Sequence, residues 1–136
     1  MSRGRSSLSS EEIKVLLVKA ERKLKHAERA FEGKDYDSAV GDSYRCVELC
    51  IRMLLLVHGV GKIPKTHGGM LQVFSKELVL KNIFPKDVAK EIGKLISLRA
   101  RADYAPIFSS MEEAVKALET THKALQATKE IISRRK

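Results

Sequence analysis

Apolar residues recur at helical spacing along nearly the whole chain, and no segment alternates as a half-buried strand would. Five helices are predicted. The first follows Ser9-Ser10-Glu11-Glu12, where Ser9 and Glu12 have capping-box spacing. It carries Ile13, Leu16, Leu17, Ala20, Leu24, Ala27 and Phe31 on one face and stops at Gly33. Asp35 is the expected cap of the second, whose Ala39, Val40, Val47, Cys50, Ile51, Leu54 and Leu55 form the most hydrophobic face and place it at the centre. Gly59 and Gly61 end it. After the loop Lys62-Ile63-Pro64-Lys65, Thr66 is the candidate cap of a short helix with Met70, Leu71, Val73, Phe74 and Leu78 inward, its first turn weakened by Gly68-Gly69. Pro85 suits the first position of a fourth helix, in which Val88, Ile92, Leu95, Ile96 and Leu98 run on to about Ala102. Ser110 and Glu113 repeat the capping box before a last helix marked by Val115, Leu118, Leu125, Ile131 and Ile132, with Arg134-Arg135-Lys136 at its negative end. The expected fold is all-α, an up-and-down bundle of about five helices, four main plus one short. It spans residues 9–133, behind a disordered lead over 1–8 and ahead of a basic tail over 134–136.

Size and composition support this reading. A chain of 136 residues fits one domain with a core of its own. Trp is absent and aromatics make up 5%, so the core must be mostly Leu, Ile, Val and Ala, a composition that favours helices over sheets. The longest unbroken apolar run, Met53 to Val57, falls far short of the roughly 20 residues of a membrane span. The start Met1-Ser2-Arg3-Gly4-Arg5 leads into no apolar stretch and does not read as a secretory signal, so a cytoplasmic protein is expected. Glu32-Gly33-Lys34-Asp35-Tyr36-Asp37-Ser38-Ala39 looks like the turn of a tetratricopeptide repeat. That repeat recurs about every 34 residues and this segment does not, so it is read as a single helical hairpin.

The formal charge is +9, and its excess lies at both ends and in the middle, where residues 59–108 hold nine basic against four acidic side chains. Polyanion binding and a plain lysine-rich surface both fit. Cys46 and Cys50 sit four apart on one helix face and read as small buried thiols, since no further ligand for a metal lies near them. No phosphate loop, paired-His metal motif or nucleophile elbow is present, and no cofactor is expected. What remains is Arg99-Ala100-Arg101-Ala102-Asp103-Tyr104 together with Lys65-Thr66-His67. Arg99 and Asp103 are one turn apart and can pair. The pair either ends a helix or presents a guanidinium fork to a phosphate. His26, His58 and His122 have no companions in the pattern.

Taken in order, these pieces resemble the HEPN (higher eukaryotes and prokaryotes nucleotide-binding) family over roughly residues 9–130. The resemblance rests on Phe31 to Ala39, on Ser43-Tyr44-Arg45-Cys46-Val47-Glu48 leading into Met53-Leu54-Leu55-Leu56, on Lys65-Thr66-His67-Gly68-Gly69, and on Leu98 to Tyr104 with its R-x-x-x-D-Y pattern. It implies a helical bundle, a homodimer paired through the central helices, and often a minimal nucleotidyltransferase as partner. Several members are metal-independent endoribonuclease toxins in which an Arg is followed, after four to six residues, by His. Here Arg99 matches that Arg, but Tyr104, Ala105 and Pro106 stand where the His would be. Tyrosine, titrating near pH 10, is a poor proton shuttle at neutral pH. The leading expectation is therefore a non-catalytic nucleotide- or RNA-binding protein, or a partner subunit, with Arg99, Asp103, Tyr104, Lys65 and His67 lining the site. The alternatives are an endoribonuclease using Arg99 with a displaced His67, and a helical adaptor.

Overall fold

The computed structural model describes residues 8–134; the expected lead and the last basic residues lie mostly outside them. Four of the five α-helices begin where a side chain satisfies an otherwise unpaired amide; α4 is the exception. The Ser9 hydroxyl accepts from the Glu12 amide at 3.1 Å while the Ser9 amide donates to Glu12, opening α1 (Ser10–Glu32). Asp35 accepts from the Ser38 amide and opens α2 (Tyr36–Val57). Thr66 does the same for α3 (His67–Phe74), accepting from the Gly69 amide at 3.0 Å. A π-helical turn, Ser75–Val79, extends α3 where an ordinary continuation was expected. Then come α4 (Lys86–Tyr104), with Pro85 at the cap position rather than inside the first turn, and α5 (Met111–Arg134).

One helix end differs from the simplest reading of its glycine and another conforms to it. Gly33 caps α1 at an ordinary φ, and the left-handed position falls to Lys34 at φ 64°. At the end of α2, Gly59 does take a positive φ, 81°. There the Gly59 and Val60 amides donate back to Leu56 and Leu55, closing the last turn.

The central position expected of α2 is observed: it packs against α1, α5 and α4. Val40, Tyr44, Val47, Ile51, Leu54 and Leu55 all lie in the main core, with Met70 and Phe74 of α3 and Ile92 and Leu95 of α4 around them. Cys46 and Cys50 face the other way, buried with Ala20, Leu24 and Leu125 between α1, α2 and α5. On α5 the expected Leu125 and Ile131 are buried, and Leu118 and Ile132 pack against the core, but Val115 is exposed; the buried face also takes in Ala114, Ala117, Thr121, Ala124 and Thr128. Small side chains let α5 approach α2 closely. The Thr121 and Thr128 hydroxyls are accommodated by donating to the Ala117 and Ala124 carbonyls at 2.7 and 2.8 Å. No described helix is long and apolar enough to cross a membrane.

The cap of α5 gives a pH-dependent contribution. The Ser110 amide donates to Glu113 at 2.9 Å and the Glu113 amide donates to the Ser110 hydroxyl at 3.0 Å. That backbone bond, with Arg101 beside it, holds the Glu113 carboxyl below the usual carboxylate range. The folded carboxylate thus binds its proton less readily than the unfolded one. Its contribution is present above about pH 4.3 and is lost as pH falls through the folded value. The unfolding free energy from urea denaturation should decline in acid by about 1 kcal/mol or less from this group, and Glu113→Gln should flatten that decline. An acid slope unaltered in the variant would refute the assignment.

Candidate functional site

The last two turns of α4 point Arg99 toward the start of α3 and the third turn of α2. The Arg99–Asp103 pair expected from their spacing forms, with Nη1 3.3 Å from Asp103 Oδ2. The Asp103 side chain is 41% exposed, so the pair by itself contributes little. Arg99 is more withdrawn, its side chain 20% exposed, because its guanidinium lies over the Tyr44 ring, 4.8 Å from the centroid. The same Nη1 is 3.3 Å from Nε2 of His67, a residue 32 positions away in sequence. On its other side, His67 Nδ1 is hydrogen-bonded to the Tyr44 hydroxyl, with the two rings edge to face at 4.9 Å.

These contacts fix the proton arrangement. A guanidinium only donates, so His67 Nε2 accepts from Arg99. A neutral imidazole then keeps its hydrogen on Nδ1 and donates it to the Tyr44 oxygen. Burial, helped by the negative charge of Glu48 one turn along α2, pushes the Tyr44 phenol up to about 12. Tyr44 therefore stays protonated at neutral pH and orients the imidazole rather than acting as a base.

Both protein contacts of Arg99 use Nη1. The Nε/Nη2 edge, which can grip two oxygens of one phosphate, has no hydrogen-bond partner among the described residues, and Nε is buried. A buried unpaired donor costs on the order of 1–3 kcal/mol, which an incoming oxygen would recover.

The α3 start that carries His67 depends on a close approach. A Cβ on Gly69 would stand 2.7 Å from the Thr66 hydroxyl and 2.8 Å from Pro64 Cβ, whereas one on Gly68 would meet open space. Gly69 is thus required by contact, while its amide supplies the cap bond. Gly69→Ala should cost roughly 1 kcal/mol through the lost cap and move the His67 ring, whereas Gly68→Ala should be neutral or mildly stabilising. Thermal midpoints and the His67 ring resonances of the two variants check this; equal effects would contradict it.

Of the five residues expected to line the site, Arg99, Asp103 and His67 come together. Lys65 is exposed two residues before His67, and Tyr104 is 83% exposed at the end of α4. Among the described residues neither has a hydrogen bond or ion pair to the cluster. Tyr44 was not among the five. Its signal is a hydroxyl on the buried stripe Val40, Tyr44, Val47, Ile51, where a phenol must find a partner. The other three histidines lie elsewhere: His26 is exposed on α1, His58 Nδ1 contacts the Leu54 carbonyl, and His122 meets Glu28 at the surface.

Residues 13–132, which include every member of this cluster, match the HEPN domain. The chain belongs to the HEPN family. Among similar HEPN relatives is "Putative toxin MJ0142" of Methanocaldococcus jannaschii, 33% identical over 122 residues that cover 89% of this chain and 82% of the relative. A second protein of the same organism, "Putative toxin MJ0605", is 33% identical over 104 residues, 76% of each chain. The HEPN match begins within α1 and ends within α5, so it includes the three helices that build the Arg99–His67–Tyr44 cluster.

Proposed function

We propose that this HEPN protein is a toxin-like module that binds a phosphate of RNA or of a nucleotide at Arg99, with His67 and Tyr44 holding the guanidinium. The observation that carries the reading is the unpaired Nε/Nη2 edge of Arg99, on a side chain braced by His67, Asp103 and the Tyr44 ring. Because Nε is buried, a phosphate engaging both nitrogens draws the guanidinium outward. The charge of +9 favours an anionic ligand and makes its binding salt-sensitive.

Binding is preferred to cleavage on the proton inventory. Metal-free cleavage of RNA needs one group to take the 2′-hydroxyl proton and another to protonate the leaving oxygen. One protomer brings a single imidazole, His67, to Arg99; the Asp103 carboxylate there is already engaged by the same Nη1, and Tyr44 is held up at about 12. The second reading, an endoribonuclease using Arg99 and His67, is favoured by their contact across 32 residues of sequence. A homodimer and a minimal nucleotidyltransferase partner are part of the proposal on family grounds.

Incubation of the full chain with RNA in chelator separates the readings. Intact RNA bound in an Arg99-dependent way supports recognition. Cleavage lost in both Arg99→Ala and His67→Ala would replace it with the endoribonuclease reading. A protein that binds neither RNA nor nucleotide at low salt would reject both.

A further inference from the structure

Between Lys19 and Arg29, α1 carries five basic and two acidic side chains, and the bundle uses both carboxylates. Glu21 pairs with Lys129 at 2.6 Å and Glu28 with His122 at 3.0 Å, both on α5. Lys19, Arg22, Lys23, Lys25 and Arg29 are left without an ion pair among the described residues. They also oppose one another. Lys19 and Lys23, and Lys25 and Arg29, stand four apart; Lys19 and Arg22, and Arg22 and Lys25, stand three apart. At both spacings like charges destabilise a helix. An anionic ligand on this face would relieve that repulsion.

Arg22, Lys25 and Arg29 continue a line begun by Val15 and Val18. The steps along it are three, four, three and four residues, the seam spacing of a coiled coil. The buried Ala20, Leu24 and Ala27 lie on the opposite side of the helix, so this seam faces away from the bundle. Val15 is 53% exposed and Val18 44%. Beside the seam, a groove of about 510 Å³ runs between α1 and α5, with Leu24 and Leu125 lining it alongside Val18, Arg22 and Lys25. The seam is remote from the Arg99 cluster. α1 meets α2 on the side of Cys46 and Cys50, whereas Tyr44 faces Arg99 and His67.

We infer that the outer face of α1 docks an acidic, amphipathic helix of a partner protein. Apolar side chains of that helix meet Val15 and Val18, and carboxylates in its following turns meet Arg22, Lys25 and Arg29. The seam spacing selects a helix, and the unpaired cations select an acidic one. The groove beside the seam accepts a large apolar side chain of the same helix. A second copy of this chain fits poorly. Parallel pairing of two such seams sets Arg22 against Arg22, and antiparallel pairing about that point sets Val18 against Lys25 and Val15 against Arg29. A nucleic acid also fits less well, because phosphates gain nothing from the apolar positions and meet Glu21 and Glu28 in the groove. The inference is independent of the phosphate-binding reading.

The test uses the full-length chain at low salt and a fluorescein-labelled synthetic helix of about three heptads, with Leu at the seam positions of one end and Glu at the others. The peptide is made in both orders, to sample parallel and antiparallel docking, and a control carries Lys in place of each Glu. The acidic peptide should bind in one order and weaken as salt is raised, while the Lys control should not bind. The double variant Arg22→Glu with Lys25→Glu should bind it about 5- to 30-fold more weakly. The thermal midpoint of that variant should hold or rise, because the reversals remove like-charge neighbours, so lost binding is not lost folding. Arg99→Ala should bind the peptide as the wild type does, which keeps this face distinct from the phosphate site. Failure of both peptide orders to bind, or equal binding by the wild type and the double variant, would overturn the docking. An oligonucleotide whose affinity falls in the double variant, with no binding of either acidic peptide, would make the face a nucleic-acid surface instead. A sedimenting mass that drops in the double variant would make it an interface between copies and overturn the inference.

Discussion

If the proposed phosphate site is right, Arg99→Ala should lower affinity for RNA or inorganic phosphate about 10- to 150-fold, the equivalent of losing a charge-assisted hydrogen-bonding group worth 1.5–3 kcal/mol. The salt dependence also becomes shallower, by about 0.7 in the logarithmic slope for one lost contact to a single strand. Arg99→Lys does not restore binding, because an ammonium lacks the planar fork and cannot lie flat on the Tyr44 ring. The fold survives the change. The ion pair with Asp103 is partly solvated, and Tyr44 remains packed in the core through Val40, Val47 and their neighbours. Filter binding or anisotropy across a salt series, with a circular-dichroism melt of each variant, measures both effects. Equal affinity and slope in wild type and Arg99→Ala would place the ligand elsewhere.

The largest effect on stability is expected from Phe74→Ala. Phe74 is fully buried at the end of α3, its ring edge-on to Phe84 at a centroid distance of 4.9 Å. Truncating a buried Phe costs about 3–5 kcal/mol, and the ring pair is part of that sum. Typical domains are stable by only 5–15 kcal/mol, so the variant is left marginal. The consequence reaches the site. α3 has eight residues, two of them glycine, and cannot persist on its own propensity. Met70, Phe74 and the following Leu78 hold it to the core, and with it the His67 ring. Urea denaturation should show a lower midpoint with an unchanged m value. Ligand affinity should fall even under conditions where the variant remains folded. A midpoint loss below about 1 kcal/mol would mean that α3 is not anchored through this ring.

Local chemistry made much of the bundle readable. The Ser9, Asp35, Thr66 and Ser110 caps lie where their residue types and spacing demand, because a cap is satisfied within one turn of its own sequence. The central rank of α2 followed from the width of its apolar face. Local pattern was weaker where packing chose between neighbours. On α5 it found Leu125 and Ile131 but wrongly marked Val115 and passed over the buried Ala and Thr residues, since what matters there is how closely α5 can approach α2. The π-turn at Ser75–Val79 had no signal of its own. Lys34, not Gly33, took the left-handed position after α1.

The candidate site divides in the same way. Sequence by itself determined that Arg99 and Asp103 would share a helix face, because four residues make one turn. It also determined that His67 would begin a helix, whereas Tyr44 entered only as part of the family pattern Ser43 to Glu48. Only the tertiary structure decided that these three elements meet: Tyr44 is 23 residues from His67, and His67 is 32 from Arg99. No periodicity within one helix carries information across such separations. The crossing of α2, α3 and α4, set by core side chains such as Ile51, Phe74 and Leu95, is what turns a helix-end ion pair into a guanidinium braced on a phenol and an imidazole.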